Sequence, residues 1–226
     1  MRLGLIGDVH AEDELLELTI DALHREGVDR VLCTGDLVDG HGDVDRACRL
    51  LRSVGALTVR GNHDRWIRTD DMRGLPYAHR MTELAVETIT QLKELPQTSS
   101  LDIPDGKLLL CHGVGPNDMC RLGPDDRGYA LSANEDLLAI LFDTSVRVMV
   151  GGHTHRPMVR RFPRGAPRSG RPGAAAPAHP ALVVVNPGTL AREDEPGFAV
   201  LDLASARVDF HRIVDRRAVR ASSIGI

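Results

Sequence analysis

The sequence predicts an α/β protein built from two packed, mixed β-sheets flanked by helices, an α-β-β-α sandwich. Three observations lead there. The first sixty residues alternate short apolar runs with helical patterns; beyond residue 146 the apolar runs become short, closely spaced and strand-like; and the apolar residues, 42% of the chain, are almost all aliphatic, because aromatics make up only 3%. Two sheets face to face with helices outside bury the apolar side of each such element.

Taken in order, residues 3–7 form a strand, 15–23 a helix, 30–34 a strand, 44–54 a helix and 56–59 a strand. This is a βαβαβ unit, and its strands should run parallel. The second helix places Val44, Ala47, Cys48 and Leu51 at i, i+3, i+4 and i+7 with Arg46, Arg49 and Arg52 opposite. Gly55 follows where a left-handed cap belongs. A helix spans about residues 82–95, and a hairpin pairs 101–103 with 107–111 across Pro104, Asp105 and Gly106. One more helix, 133–142, precedes strands at 146–150, 158–162, 182–185, 198–203 and 207–213. Residues 163–180 are rich in Pro, Gly, Ala and Arg without apolar period, and read as a long flexible surface loop whose arginines are solvated.

Composition bounds the function. A chain of 226 residues with 27% charged side chains has the balance of an ordinary globular protein. The candidate site residues spread from position 8 to position 155, so residues 1–226 are expected to form a single domain. Few aromatics leave little for base-stacking platforms, and a formal charge of -4 gives no global attraction to nucleic acid or anionic membrane. An anionic substrate must then be held by a local positive centre. Cys33, Cys48, Cys111 and Cys120 lack metal-knuckle spacing and suit buried thiols in a reducing, cytoplasmic setting. The N-terminal run meets Asp8 before a signal-peptide core could form, so neither export nor membrane insertion is expected.

In open α/β sheets the ligand crevice lies beyond the carboxyl ends of the strands. Polar residues that terminate apolar runs therefore mark the candidate site. The first run ends in Asp8-Val9-His10, where a spacing of two in extended chain sends both side chains to one side. The second ends in Gly35-Asp36, the third in Gly61-Asn62-His63-Asp64, a later one in His112-Gly113 and another in Gly151-Gly152-His153-Thr154-His155. Singly, an aspartate at a strand end is commonly a cap and a buried histidine a core residue. Five strand ends carrying carboxylate, amide and imidazole together point to a metal site. The adjoining glycines let the backbone turn sharply close to it.

This ordered set, Asp8-X-His10, Gly35-Asp36, Gly61-Asn62-His63-Asp64, His112-Gly113 and Gly152-His153-X-His155, resembles the calcineurin-like metallophosphoesterase superfamily. Asn186-Pro187-Gly188-Thr189 is similar to the Asn-Pro-Gly-Ser stretch of its small prokaryotic phosphodiesterases, and the likeness spans about residues 1–190. The resemblance implies one metal held by Asp8, His10 and His155, a second held by Asn62, His112 and His153, and Asp36 bridging both. It also implies an unligated His63 facing the scissile phosphate, paired with Asp39. Oxygen and nitrogen donors without thiolate suit two divalent ions, Mn2+ first, with Fe, Zn, Ni or Co as alternatives. The expected reaction is phosphodiester hydrolysis by a hydroxide bridging the two ions, with His63 as general acid.

Two departures narrow the branch. Protein serine/threonine phosphatases of the superfamily continue with an arginine after the position of Asp39, and their later motif ends in Glu; here Gly40 and Asp64 stand instead. A small phosphate-ester substrate, nucleotide or diester, is expected, with nucleic acid only as a substrate and no membrane partner. Asp64 is read as a helix cap. The alternatives are a phosphomonoesterase acting on nucleotides or phosphoproteins, and a non-catalytic scaffold of the same fold, which substituted ligands would betray.

Overall fold

In the computed structural model, which describes residues 1–164 and 180–226, the chain opens with β1 (Arg2–Ile6), α1 (Asp13–Arg25), β2 (Arg30–Cys33), α2 (Val44–Ser53) and the two-residue β3 (Leu57–Thr58). These three strands pair in parallel, as the βαβαβ pattern requires. In α2 the expected stripe is buried, the Asp43 side chain accepts from the Arg46 amide at 2.8 Å, and Gly55 closes the end at φ 60°.

A short helix, α3 (Asn62–Thr69), starts directly on the Asn62-His63-Asp64 motif. Asp64 caps it: its carboxylate accepts from the Gly61 amide at 2.9 Å and the Leu37 amide at 2.8 Å. The helix expected over residues 82–95 is instead a 3-10 turn (Met81–Glu83) followed by α4 (Val86–Glu94). Leu84 and Ala85 are extended, because Leu84 packs into the core beside α1 and α2 while the Asp45 carboxylate of α2 takes the Ala85 amide at 3.1 Å.

The hairpin of β4 (Thr98–Ile103) and β5 (Gly106–Cys111) is three residues longer at its start than expected, since polar Thr98, Ser99 and Ser100 masked the strand. The helix expected over 133–142 is α6 (Glu135–Phe142), preceded by a separate unexpected turn, α5 (Tyr129–Ser132), with the Asn134 side chain capping α6 through the Leu137 amide at 2.9 Å. Then follow β6 (Val146–Val150), β7 (Met158–Phe162), β8 (Leu182–Asn186), β9 (Gly197–Asp202), β10 (Arg207–Val214) and β11 (Arg217–Gly225). The last strand was missed because its residues are exposed on both faces and carry no alternation. Of the loop expected at 163–180, residues 165–179 lie outside the described residues.

The strands form two mixed sheets, ordered β11-β10-β9-β1-β2-β3 and β4-β5-β6-β8-β7. Between them lies an aliphatic layer: Leu3, Leu5, Leu32, Ala199 and Leu201 meet Leu108, Leu110, Val148, Val150 and Val185. The opposite face of the first sheet carries Ile6, Val31, Cys33 and Phe198 against α1 and α2. On the outer face of the second, Met149, Leu182 and Val184 meet Leu137 of α6. In each sheet the parallel strands β1-β2-β3 and β5-β6-β8 share one direction, so their carboxyl ends gather the loops of interest on one edge. No helix among the described residues is long and apolar enough to cross a membrane.

Leu201 is fully buried between the sheets, away from the candidate ligands. Leu201→Ala should lower stability by about 2–5 kcal/mol, read as a shifted urea midpoint at unchanged slope; an unmoved midpoint would contradict the assigned inter-sheet core.

Candidate metal centre

The loops that leave β1, β2, β5 and β6, together with the N-terminus of α3, bring Asp8, His10, Asp36, Asn62, His112, His153 and His155 into one cluster. Asp8 is 0% exposed, Asp36 2%, Asn62 2% and His112 1%. Three sets of donor atoms lie within 4.8 Å of one another: Asp8, His10 and His155; Asp8, Asp36 and His112; and His10, Asp36 and His63.

The spacings are those of ligand shells. Donors about 2.0–2.2 Å from one ion lie about 3 Å from each other. His155 Nε2 lies 3.1 Å from Asp8 Oδ2 and 3.1 Å from His10 Nε2. Asn62 Oδ1 lies 2.9 Å from both His112 Nε2 and His153 Nδ1, and His112 Nε2 lies 3.3 Å from Asp36 Oδ2. His10 Nε2 sits farther out, 4.0 Å from Asp36 Oδ2.

Partners behind the rings fix which nitrogen faces inward. His10 Nδ1 donates to the Asp39 carbonyl at 2.9 Å, His112 Nδ1 to the Thr34 carbonyl at 2.9 Å and His155 Nδ1 to Asp194 Oδ2 at 2.6 Å. Each donation leaves an Nε2 lone pair pointing into the cluster. The Nε2 atoms of His10 and His155, 3.1 Å apart, need a positive charge between them, either a proton on one ring or a bound metal ion. The donor set therefore fits divalent metal.

Electrostatics agree. Burial opposes a charge on His112, but Asp36 and Asp8 outweigh it and push its pKa up to about 10. His155 likewise rises to about 9 against burial, through its hydrogen bond and attraction to Asp8 and then Asp194. Carboxylates that stabilise positive charge on two neighbouring imidazoles favour a bound cation in the same place. Burial opposes ionisation of Asp36 and Asp8 as well, yet the imidazoles, His112 foremost, keep both below the usual carboxylate range. His153 is lowered by burial and by the charge of His112.

The backbone contradicts one expectation. Asp8 and His10 were to face one side because the chain is extended; instead His10 has φ 47°, and His153 and His155 have φ 65° and 57°. Both X-separated pairs converge through left-handed turns rather than a strand. Asp36 and Asp39 are left-handed too, at φ 48° and 65°. A side chain on Gly152 would place its Cβ 2.1 Å from Asp8 Oδ1, so that position admits only glycine.

His63 stands beside the cluster. Its amide donates to Asp36 Oδ1 at 2.8 Å and its Nδ1 to Asp39 Oδ2 at 2.8 Å. Burial lowers its pKa, but the Asp39 hydrogen bond and nearby carboxylates raise it overall. Asp39 is disfavoured by burial, yet hydrogen bonds from His63, Arg73 and the His79 amide hold it at about 2.

Supporting residues escaped the sequence reading. Thr34 donates to Asp8 Oδ1 at 3.1 Å, and Asp194 orients His155, but neither sits in a recognisable pattern. Asn186, singled out only as part of a stretch, donates to the Gly152 carbonyl at 2.7 Å and to Thr154 Oγ1 at 3.0 Å, pinning the turn that carries His153 and His155. Thr189 Oγ1 donates to the Asp8 carbonyl at 2.9 Å.

Comparison with known proteins bears on this site. A metallophosphoesterase from Sphaerobacter thermophilus superposes with a TM-score of 0.68 at 24% identity, covering 95% of this chain and 89% of that one. A structure described as a novel archaeal phosphodiesterase matches at TM-score 0.53 and 17% identity, covering 98% and 100%. An uncharacterized protein of Methanocaldococcus jannaschii is 24% identical over 119 residues, 49% of this chain and 48% of that protein. The chain thus spans about half the length of the curated relative it matches. The model of the calcineurin-like phosphoesterase superfamily domain matches residues 1–206, and the chain belongs to that superfamily.

Proposed function

We propose that this protein hydrolyses small phosphodiesters with two divalent ions, Mn2+ first and Fe, Zn, Ni or Co as alternatives. Asp8, His10 and His155 would hold one ion, Asn62, His112 and His153 the other, and Asp36 both. The observation that carries this reading is the pair of donor groups, Asp8, His10 and His155 at 3.1 Å spacings and Asn62, His112 and His153 at 2.9 Å, that flank the buried Asp36 carboxylate, itself 3.3 Å from His112 and 4.0 Å from His10. When bound there, two such ions neutralise phosphate oxygens and make a water acidic enough to attack near neutral pH.

The chain's own residues do the rest. Because Nδ1 of His63 donates to Asp39, Nε2 is the nitrogen free to carry a proton toward the departing alkoxide. The Asp39 carboxylate fixes that tautomer and favours the protonated ring. Asp64 keeps the start of α3, and so Asn62 and His63, in register through its two amide contacts.

Preference for a diester rests on Gly40. A Cβ there would fall 1.8 Å from the His10 carbonyl oxygen, so the arginine that clamps monoesters in other branches has no room. A cleft of about 400 Å³ opens beside His155, lined by Pro124, Thr154, Arg156, Pro157 and Asp194 among others, a size for a small molecule. The larger groove, about 680 Å³ between α2 and α4, holds none of the candidate ligands. All four cysteines are free thiols and three are buried, which suits a reducing, cytoplasmic setting. A monoesterase is the second reading, favoured by exposed Arg121, whose charge is felt at His153 and could meet a dianion.

With Mn2+, bis(p-nitrophenyl) phosphate should be cleaved with a higher kcat/KM than p-nitrophenyl phosphate; the reverse order would favour the monoesterase. His63→Asn should retain both metals by elemental analysis while kcat falls by about 10²–10⁴. A parallel loss of metal would make His63 a ligand. Asp36→Asn should lose metal and activity together, and should cost more rate than Asp39→Asn.

A further inference from the structure

We propose that Arg73, on the loop after α3, is a positioning residue that sets the orientation of His63 through Asp39. The inference rests on the role proposed above for His63. Arg73 Nη1 donates to Asp39 Oδ1 at 2.8 Å and Nη2 to Asp39 Oδ2 at 2.9 Å, a two-pronged contact with the carboxylate that also receives His63 Nδ1 at 2.8 Å.

The rest of the guanidinium is tied inward. Nη1 also donates to the His79 carbonyl at 2.7 Å and Nε to the Asp71 carbonyl at 2.7 Å. His79 closes the knot from the other side: its amide donates to Asp39 Oδ1 at 2.9 Å, and its Nδ1 accepts the Asp39 amide at 3.1 Å. With its donors so engaged, Arg73 is not presented to a phosphate as a clamp. It acts on Asp39.

The loop is shaped to deliver this side chain. Asp71, Met72, Gly74 and Tyr77 are exposed, yet the Arg73 side chain is only 5% exposed. Asp70, Met72 and Tyr77 adopt left-handed backbone at φ 53°, 54° and 57°. Strained backbone of this kind persists where surrounding contacts over-determine it; here the Asp71 amide is held by the Trp66 carbonyl and the Tyr77 ring packs on His41, while Arg73 and His79 tie the loop to Asp39. Asp39 Oδ2 is shared between an imidazole and a guanidinium, so freeing it from Arg73 lets the carboxylate rotate and the His63 ring follow. A planar two-pronged donor is needed for that hold, and lysine cannot supply it.

The test compares wild type, Arg73→Ala and Arg73→Lys on methyl p-nitrophenyl phosphate and methyl phenyl phosphate, diesters that differ in the quality of the leaving group. Arg73→Ala should bind two metals as wild type does and show little change in KM. Its kcat should fall by about tenfold or more on the phenyl ester and markedly less on the p-nitrophenyl ester, because the poorer leaving group depends more on His63. Arg73→Lys should recover little, while added guanidinium should restore part of the rate of Arg73→Ala. A second readout avoids activity: in the zinc-loaded protein the His63 Nδ1 proton should give a sharp, downfield, hydrogen-bonded NMR signal that Arg73→Ala broadens or loses. Equal losses on both esters, a signal unchanged by Arg73→Ala, or loss of metal in that variant would overturn the proposal. A wild type inactive on both diesters, with the signal behaving as expected, would overturn the diester reading and support the positioning of His63.

Discussion

Two carboxylates, Asp8 and Asp36, lie side by side where the two sheets meet, at 0% and 2% exposure. Removing such charges from water costs several kcal/mol each unless positive partners and hydrogen bonds replace the solvent. Much of the surrounding architecture answers that requirement. The His153 amide and Thr34 hydroxyl donate to Asp8, the His63 amide donates to Asp36, and His112 faces both carboxylates. These neutral and titrating partners leave the cluster electronegative enough to retain protons on His112 and His155 well above neutrality.

Holding the cluster also demands an unusual main chain. His10, Asp36, Asp39, His153 and His155 all sit at positive φ, a conformation that disfavours side chains. Such strain survives only on a rigid base. Parallel strands from both sheets supply it, with an aliphatic layer between them and helices outside, so the five loops depart from fixed points on one edge. The glycine at 152 then clears room for the Asp8 carboxylate.

The layered fold was legible because its signal is periodic. The α2 stripe of Val44, Ala47, Cys48 and Leu51, the Gly55 cap and the parallel β1-β2-β3 unit all follow from local rules. The candidate ligands were legible because each ends an apolar run. What stayed hidden depends on contacts distant in sequence. Asp45 reaching Ala85 breaks a helix that periodicity would continue, and β11 carries no alternation since neither face is covered. Arg73 lies 34 residues from the carboxylate it grips, on a polar loop that by itself looks unremarkable, and Asp194 meets His155 across 39 residues. The spacing rule for Asp8 and His10 reached the right neighbours for the wrong reason, since turned rather than extended backbone brings them together.

The central claim is that these side chains surround two cations sharing Asp36. Crystals grown with manganese and measured at its absorption edge test it directly. The account predicts two anomalous peaks on either side of the Asp36 carboxylate, one against Asp8, His10 and His155, the other against Asn62, His112 and His153. A single peak, or none among these residues in a folded, manganese-supplied crystal, would contradict it.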